Sequence, residues 1–534
     1  MKTFETDVLI VGAGPTGLTL ANELARHGIK FKIIDASSTT SKTTKALGVM
    51  SRTLELFEKT GITDELVTKG LPTPTFNVVQ QDRQLIKLDF DKHCESPFPM
   101  VLMVPQNITE EVLYENLKNQ GYDVEWETSL LDFKEIEEGC QATVRKDRDK
   151  DETITAKYIV GCDGAHSAVR HQLGFEFEGT TIDQTFALAD IKLDWKLPYN
   201  QSYAFVNKGQ FIAFFPMKDG RHRILMTSKE DSKQQEVTME EIQSVINKVG
   251  PSPATISDPS WTSRFHVNQR KVKEARKGRI FLAGDAAHIH SPVGAQGMNT
   301  GIQDAFNLSW KLALVVQNHS PEDLLNSYAE ERVPVWSELL AGTERVTRML
   351  LNENQLFNHF RKRVAPIITS KKPVRQRLIG SLSEIGIHYR HSPLIDNDGK
   401  PSTTWKSLLK GNESIQAGDR APDVTFSNDD RLFNHLKTTK HVLLIFTNYP
   451  QPIQHTITAL DSLPIEVYQV GTTEAHERFL ADKENVISQA YNLQTKNGFI
   501  LIRPDGYIGY RSENLQEKEL LDVLNHYFLG EKVV

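Results

Sequence analysis

The chain has 534 residues, of which 39% are hydrophobic and 25% charged, and it carries a net charge of −7 at neutral pH. A chain of this length is too long for one hydrophobic core, so several domains are expected. The acidic balance excludes the basic face that nucleic-acid binding requires, and we predict no nucleic-acid partner.

The cysteines and the N-terminus indicate the compartment. Cys94, Cys140 and Cys162 are odd in number and far apart, so they form neither a zinc-ligand spacing nor a disulfide framework. The first residues do not resemble a signal peptide, and no stretch of about 18 apolar residues would span a membrane. We therefore expect a cytoplasmic protein with reduced thiols, no metal site and no membrane association.

The first predicted elements are a buried strand, a glycine-rich turn, an amphipathic helix and a second buried strand, which together form a βαβ unit. The turn consists of Gly12, Ala13, Gly14, Pro15, Thr16 and Gly17. Gly12 permits the tight turn, Gly14 lets the backbone approach a pyrophosphate, and Gly17 lets the helix pack on the strand.

Asp35 ends the second strand, about 20 residues after the glycines, where an acid can bind ribose hydroxyls. The phosphates of a dinucleotide would lie at the helix N-terminus, because free N–H groups and the helix dipole favour anions there. The pattern therefore predicts a dinucleotide site, although by itself it does not distinguish FAD from NAD.

The sequence pattern changes between residues 176 and 270, where apolar and polar residues alternate. Lys218, Asp219 and Gly220 provide a turn in this segment. This alternation predicts an antiparallel sheet inserted into the cofactor-binding part. A buried strand returns near residues 280–283, and helix formers dominate residues 321–365. A polar stretch then precedes a smaller α/β pattern, whose hairpin turn is predicted at Pro504, Asp505 and Gly506.

Two further motifs follow buried strands. With the glycine-rich turn as the first motif, the second motif runs from Gly161 through Asp163 and Gly164 to Ser167 and Arg170. The third motif runs from Gly284 and Asp285 to Asn299 and Asp304. In this order and spacing, the three motifs resemble those of the flavoprotein aromatic hydroxylases, or class A flavin monooxygenases. The phenol 2-monooxygenase and 3-(3-hydroxyphenyl)propionate hydroxylase type is the nearest, and the resemblance covers residues 5–395.

The resemblance implies FAD-binding roles for individual residues. Asp285 would bind the ribityl chain, Asp163 and Gly164 would lie near the pyrophosphate and take part in NAD(P)H use, and Gln106 would contact the FAD. Lys45 stands where the family usually has arginine. The loop from Gly294 to Asn299 within the third motif would wrap the isoalloxazine, and the predicted set is completed by Gly284, Pro292, Gly294, Gln296, Gly297, Met298 and Asn299.

The chain departs from the family pattern at two positions in this loop. Ala295 replaces a glycine, and alanine tolerates a positive φ poorly. Ser291 replaces the first of two prolines. We expect these changes to affect access of the substrate rather than binding of FAD.

The fold implied is α/β: a Rossmann-type FAD-binding domain with an inserted antiparallel sheet for the substrate, a helical segment and a C-terminal thioredoxin-like α/β domain. The expected boundaries are 1–175 and 271–395 for the FAD-binding part and its helices, 176–270 for the substrate sheet, 396–420 for a linker and 421–534 for the last domain. No cysteine follows Cys162, so the Cys-x-x-Cys motif of an active thioredoxin is missing. We expect a structural role or a contact in a homodimer for that domain.

The reaction implied has two halves. NAD(P)H delivers a hydride to FAD, and the reduced flavin reacts with O2 to a flavin hydroperoxide that hydroxylates a small aromatic substrate, phenolic or polyketide-like. An FAD-dependent reductase or dehydrogenase without oxygen insertion is the alternative enzyme. A binding protein that keeps FAD as a structural element is the alternative outside catalysis.

The catalytic base is not identifiable from the sequence, and we expect it on the antiparallel sheet. Arg52 and Pro292 are the candidate catalytic residues: Arg52 either lines the substrate cavity or forms a salt bridge at a helix start, and Pro292 would lie near the flavin face. His288 and Asp304 are interpreted as structural, and the basic stretch 361–377 as a solvated face.

Overall fold

The computed structural model describes residues 4–42, 46–147, 149–228, 237–251, 253–291, 294, 296–352, 354–397, 415–426, 430–447, 460, 463–472, 478–493, 497–515 and 517–528. Two of the predicted site residues, Lys45 and Pro292, lie outside these ranges, as does Ala295. None of the described helices is long and apolar enough to cross a membrane.

The described strands form four sheets. They are β1 (Thr6–Val11), β2 (Phe31–Ile34), β3 (Gly48–Val49), β4 (Leu71–Thr73), β5 (Thr75–Gln80), β6 (Arg83–Asp89), β7 (Val101–Met103), β8 (Thr128–Ile136), β9 (Gly139–Lys146), β10 (Lys150–Gly161), β11 (Glu178–Trp195), β12 (Gln201–Asn207), β13 (Gln210–Pro216), β14 (His222–Thr227), β15 (Ala254–Lys271), β16 (Arg276–Lys277), β17 (Ile280–Leu282), β18 (His288–Ile289), β19 (Asp396–Asn397), β20 (His441–Phe446), β21 (Ile465–Gly471), β22 (Phe479–Ala481), β23 (Gly498–Ile502) and β24 (Ile508–Ser512).

The helices lie mainly in the first three quarters of the chain. They are α1 (Pro15–Arg26), α2 (Ser51–Glu58), α3 (Thr63–Lys69), α4 (Phe90–His93), α5 (Gln106–Asn119), α6 (Ala168–Leu173), α7 (Met239–Val249), α8 (Gly297–Val316), α9 (Asn326–Leu350), α10 (Gln355–Thr369), α11 (Lys372–Leu382), α12 (Val486–Ala490) and α13 (Glu517–Tyr527).

The first sheet has the order β16-β17-β10-β1-β2, extended by the antiparallel pair β8 and β9. Strands β1, β2, β10 and β17 run parallel, and their last residues are in register: Val11 pairs with Ile34 and with Gly161, which pairs with Leu282. The three sequence motifs follow these strands directly. The sheet therefore brings all three motifs to one carboxyl edge, where α/β folds bind their ligands.

The second sheet has the order β18-β15-β11-β14-β13-β12-β5-β6, and its neighbours are antiparallel except for β5 and β12. The predicted turn joins β13 and β14, where Gly220 has a φ of +84°. The sheet is larger than the predicted segment 176–270, because β5 and β6 precede that segment and β18 follows it. The alternation of apolar and polar residues predicted the central strands of this sheet. It did not predict that short strands far away in the sequence pair with them.

The long helix α8 is buried on nearly all sides and packs against α1. A Cβ on Gly301, or on Gly284 at the start of the third motif, would lie 2.4 Å from Thr16 Oγ1. Both positions therefore have to be glycine for α1 and α8 to approach this closely.

The C-terminal sheet has the order β19-β24-β23-β20-β21-β22, with β20, β21 and β22 parallel and β23 and β24 forming an antiparallel hairpin. The hairpin turn is the predicted one, since the Gly506 N–H donates to Arg503 O at 2.9 Å. The predicted linker 396–420 begins inside this sheet, at β19. Thioredoxin-like ancestry of the domain stays a prediction.

The C-terminal domain shares a hydrophobic core with the FAD-binding part. Trp310 and Leu314 of α8 pack in one buried cluster with Leu443 of β20 and with Leu524 and Tyr527 of α13. The domain is therefore built onto the rest of the chain and is not a tethered appendage.

Candidate cofactor and substrate site

One cavity of about 1660 Å³ lies between the carboxyl edge of the first sheet, one face of the second sheet and helices α9 and α11. Ligand sites for a single small molecule are typically about 300–1,000 Å³. The cavity is therefore large enough for a cofactor and a substrate together.

Gly12 and Gly17 of the first motif allow the tight turn and the close packing that the sequence predicted, and the approach of Gly14 to a pyrophosphate stays a prediction. A Cβ on Gly12, whose φ is +104°, would lie 2.5 Å from Cys162 O, and one on Gly17 would lie 1.9 Å from Gly12 O. Gly14 lines the cavity and has no atom within 4 Å of a Cβ position. Gly12 and Gly17 thus serve close packing, whereas the space at Gly14 is open to a ligand.

Helix α1 begins directly at this open space. Gly14 is its N-cap and offers no side-chain hydrogen bond to the first turn, and Pro15 and Thr16 also line the cavity. A helix start without a side-chain cap, facing a cavity, is the arrangement that binds phosphate.

Asp35 does not line the cavity. Its carboxylate accepts hydrogen bonds from the Ala13 N–H at 2.7 Å and from the Ser37 N–H at 2.8 Å. The acid therefore fixes the glycine turn, while the second lone pair on each oxygen leaves capacity for a ribose hydroxyl.

Asp163 and Gly164 of the second motif line the cavity. Asp163 Oδ2 accepts from the Val169 N–H at 3.2 Å, and burial raises the pKa of this carboxyl group. Arg170 of the same motif donates to Ala286 O at 2.9 Å and to Ala165 O at 2.8 Å. The arginine therefore ties the second motif to the third.

The third motif is held from behind by a buried carboxylate. Asp304 Oδ2 accepts from the Gly284 N–H at 3.0 Å and lies 2.8 Å from His288 Nε2, while Oδ1 accepts from Arg332 Nε at 2.6 Å and from Trp336 Nε1 at 3.0 Å. Burial opposes the charge of Asp304, but Arg332 and His288 hold its pKa below the usual value. His288 and Asp304 are structural, as interpreted from the sequence.

In the third motif, Asp285 lines the cavity and its side chain is exposed there. Gly294, Gln296, Gly297 and Met298, which follow in the loop and the first turn of α8, also line it. Of the predicted loop residues that the structure describes, only Asn299 points away.

Asn299 is fully buried, and its side chain connects the start of α8 to another part of the chain. Its Oδ1 accepts from the Met50 N–H at 2.9 Å, and its Nδ2 donates to Gly48 O at 2.9 Å. The side chain thus joins the start of α8 to β3 and to the start of α2. Any contact of Asn299 with a cofactor would have to use its backbone.

Gln106 is the first residue of α5 and lines the cavity, as expected for a residue in contact with the cofactor. Its Oε1 accepts from the Ala46 N–H at 3.3 Å and its Nε2 donates to Glu110 Oε1 at 2.9 Å. These contacts fix the side chain between Ala46 and Glu110.

The wall formed by the second sheet is mainly apolar. Its lining residues include Phe76, Val78, Leu188, Ala204, Phe211, Ala213, Phe215 and Leu225. Arg223 is the charged residue of this wall, and it forms a bidentate pair with Asp190, with both N–O distances 2.7 Å. The described residues of the sheet that line the cavity include no carboxylate or imidazole, so the expectation of a base on the sheet is not met.

The structure corrects one of the two interpretations of Arg52, namely that it lines the substrate cavity. The guanidinium is 1% exposed, donates to Glu55 Oε2 at 3.0 Å and to Asp505 O at 2.6 Å, and does not line the cavity. It joins α2 to the C-terminal hairpin, lying 4.8 Å from the centre of the Tyr507 ring. The helix-start ion pair was the correct alternative, because the C-terminal domain covers this face of α2.

The basic stretch 361–377 is largely exposed at its described basic residues, Arg363, Lys371, Lys372 and Arg377, as interpreted from the sequence. Its last part also reaches the cavity. Pro373, Gln376 and Arg377 of α11 line the cavity, as do several residues of the segment 380–391 that follows. No motif marks this wall, and glycines at 380 and 386 are the only local signal in the sequence. Sequence reasoning missed it because the wall is created by long-range packing.

The surroundings of His290, which precedes α8 in the chain, fit a bound flavin. His290 lines the cavity, its Nδ1 lies 3.0 Å from Ser291 O, and its buried Nε2 finds no hydrogen-bond partner in the described part of the chain. Burial lowers the pKa of His290 to about 4, so the ring is neutral. With the open space at Gly14, this unpartnered nitrogen indicates a polar group that completes the site. The fold and the site together define an FAD-binding oxidoreductase.

The comparisons with known proteins give the family. A family model described as "FAD binding domain" matches residues 5–343, and another, "Aromatic-ring hydroxylase, C-terminal", matches residues 414–530. The 6-methylpretetramide 4-monooxygenase of Streptomyces rimosus is 34% identical over 523 residues, which are 95% of this chain and 90% of that protein. The chain therefore belongs to the FAD-dependent aromatic-ring hydroxylases.

Two further proteins agree with this. The pentachlorophenol 4-monooxygenase of Sphingobium chlorophenolicum is 30% identical over 528 residues, covering 96% of this chain and 94% of that protein. The solved structure of the anhydrotetracycline hydroxylase from Streptomyces rimosus superposes with a TM-score of 0.77 at 26% identity, covering 98% of this chain and 99% of that chain. The predicted fold class, the FAD cofactor and the monooxygenase activity are confirmed.

Proposed function

We propose that this enzyme binds FAD along the motif side of the cavity and hydroxylates a phenolic or polyketide-like aromatic ring held against the second sheet. The observation that carries the proposal is the single cavity, which joins Gly14 and Asp285 to the apolar wall of β11–β14. The relatives named above support it, because their names specify monooxygenation of tetracycline-type and chlorinated phenolic compounds.

Each predicted contact with FAD is part of this proposal. The start of α1 would bind the pyrophosphate, with Asp163 and Gly164 beside it, and Asp35 would bind the adenosine ribose. Asp285 would accept hydrogen bonds from ribityl hydroxyls. The N-terminus of α8 would face the pyrimidine edge, where its dipole stabilises negative charge.

FAD, once reduced by NAD(P)H, supplies the activation of O2 that delivers one oxygen atom to the ring and releases the other as water. The chain itself positions and shields this chemistry. Apolar side chains such as Phe211 and Leu225 hold the ring and exclude water, which strengthens electrostatic interactions in the site. Arg223, already neutralised by Asp190, adds polarity to the wall without an unpaired charge.

Labelled oxygen tests the reaction. The FAD-loaded protein is given NADH or NADPH with a panel of phenols and polyketide-type aromatics under isotopically labelled O2, and products are analysed by mass. A ligand that accelerates NAD(P)H oxidation and gains one labelled oxygen supports the proposal. Label arriving from water, or anaerobic turnover at the full aerobic rate, would contradict oxygen insertion and favour a reductase.

The location and the assembly state are also proposals. We propose a cytoplasmic location, supported by three cysteines that are all free and buried. We propose a homodimer, supported by exposed apolar side chains on α9 and α10 that do not line the cavity, namely Met349, Ile367 and Ile368. Light scattering after size-exclusion chromatography tests the dimer, and a monomeric mass at micromolar concentration would exclude it.

A further inference from the structure

A buried carboxyl group lies in the segment after α11 that no motif predicted. Glu384 is 2% exposed and has a φ of +62°, a backbone region that residues with a Cβ rarely adopt. Burial of a carboxyl group is unfavourable as well. The hydrogen bonds of the Glu384 side chain therefore have to offset both the unfavourable backbone conformation and the burial of the carboxyl group. Both hydrogen bonds are to residues of α8.

The hydrogen-bond geometry around Glu384 favours a protonated, neutral carboxyl group. Gln303 Nε2 donates to Glu384 Oε2 at 2.6 Å, and Thr300 Oγ1 lies 3.4 Å from Glu384 Oε1. Thr300 Oγ1 also lies 2.9 Å from Gln296 O, a carbonyl oxygen that can only accept. Because a hydroxyl has one proton, the shorter contact takes it, and Thr300 then faces Glu384 with a lone pair. That contact is a hydrogen bond only if Glu384 is a neutral acid and donates.

The charged surroundings agree with a neutral acid. Asp304 on α8 and Arg332 on α9 are the charged groups that face Glu384, and they are already paired with each other at 2.6 Å. Burial raises the pKa of Glu384 to about 8, with Arg332 and the hydrogen bond from Gln303 opposing the shift and Asp304 adding to it. A site with this pKa loses its proton just above neutral pH.

Glu384, Thr300 and Gln296 all line the cavity at the first turn of α8. We propose that Glu384 is a positioning residue that acts as a neutral acid: it holds Thr300 and the Gln296 carbonyl at the start of α8 and couples its own proton to the charge of bound FAD. This inference rests on the proposed function, because it requires the flavin pyrimidine edge at this end of the cavity.

The coupling has a measurable consequence. Reduced flavin carries negative charge at its pyrimidine edge, and a second negative charge on Glu384 would repel it. Glu384 therefore keeps its proton to higher pH in the reduced enzyme than in the oxidised enzyme. From about pH 8 up to the higher pKa that Glu384 has in the reduced enzyme, reduction then takes up at most one more proton per flavin than it does at lower pH.

The reduction potential of FAD bound to the full-length protein tests this between about pH 6 and 10. We expect the potential of the wild-type protein to fall more steeply above about pH 8, by the slope of one added proton, and this bend to be absent in Glu384→Gln. Glu338→Gln is the matched control, because Glu338 on α9 is an exposed carboxylate that lines the same cavity. A bend that persists in Glu384→Gln, or is missing from the wild type, would overturn the inference.

A second measurement does not depend on the flavin. Infrared difference spectra of the FAD-free wild type against Glu384→Gln should show the carbonyl band of a neutral carboxylic acid near neutral pH, lost above about pH 9. Absence of that band would also overturn the inference. Wild-type protein that binds no FAD would instead contradict the proposed function, and the band would still decide the state of Glu384.

Discussion

Arg503 Nη1 lies 2.6 Å from Glu331 Oε1, and both side chains are fully buried. Arg503 belongs to the turn of the C-terminal hairpin and Glu331 to α9, so the pair connects two domains. Lys311 of α8 lies 2.8 Å from the other carboxylate oxygen of Glu331 and completes a buried cluster. Because a buried ion pair is stable only when both partners are present, this contact makes each domain dependent on the other.

Glu331→Gln should destabilise the protein by about 3–5 kcal/mol, since it removes the carboxylate that pairs with buried Lys311 and leaves Arg503 with Asp505 as its carboxylate partner. Chemical denaturation measures the free energy of unfolding. Arg145→Ala is the control: Arg145 and Asp151 also form a bidentate pair, but their side chains are 45% and 50% exposed, and loss of this solvent-screened pair should change the free energy of unfolding far less. Equal effects in the two variants would contradict a structural role for the cluster.

Gly14→Val should abolish retention of FAD during purification, because the new side chain fills the open space at the start of α1. Gly342→Val is matched to it, since Gly342 also lines the cavity and has no atom within 4 Å of a Cβ position, but lies on α9. Flavin absorbance per chain is the readout. Normal flavin content in Gly14→Val would refute the proposed pyrophosphate site.

Asp285→Ala should weaken FAD binding by roughly 10- to 150-fold, the equivalent of about 1.5–3 kcal/mol for hydrogen bonds to a charged group. Quenching of flavin fluorescence on titration into the FAD-free protein measures the Kd. Glu338→Ala removes another exposed carboxylate from the cavity and should leave the Kd unchanged. If both variants bind FAD like the wild type, Asp285 does not contact the ribityl chain.

Glu384 predicts a pH dependence of stability. Its pKa is about 8 in the folded protein and 4.5 by its ordinary value, so folding retains a proton that the unfolded chain releases. The stability contributed by Glu384 is therefore full below about pH 4.5 and is lost as the pH rises to 8, at up to about 1.4 kcal/mol per pH unit. The free energy of unfolding of Glu384→Gln, relative to wild type, should rise over that window and then level off. A pH-independent difference would contradict a neutral Glu384.

The cofactor side of the site was predictable because its signals are local. Gly12, Gly14 and Gly17 reveal a turn whose geometry depends on neighbours in the sequence, and Asp285 follows directly after a recognisable strand. Arg52 could not be assigned in this way, because its partner Asp505 is 453 positions away. Glu384 also stands in no motif, and its role appears only when α8 is packed against it.

The buried cluster also concerns the order in which the chain is made. Lys311 and Glu331 emerge from the ribosome long before Arg503, which lies close to the C-terminus. Until residue 503 has been made, Glu331 is paired with Lys311 but lacks Arg503, and domains fold largely as they emerge. We therefore expect nascent or prematurely terminated chains to expose the α8–α9 surface to chaperones and proteases. The C-terminal hairpin would thus act as a check against chains that end before it.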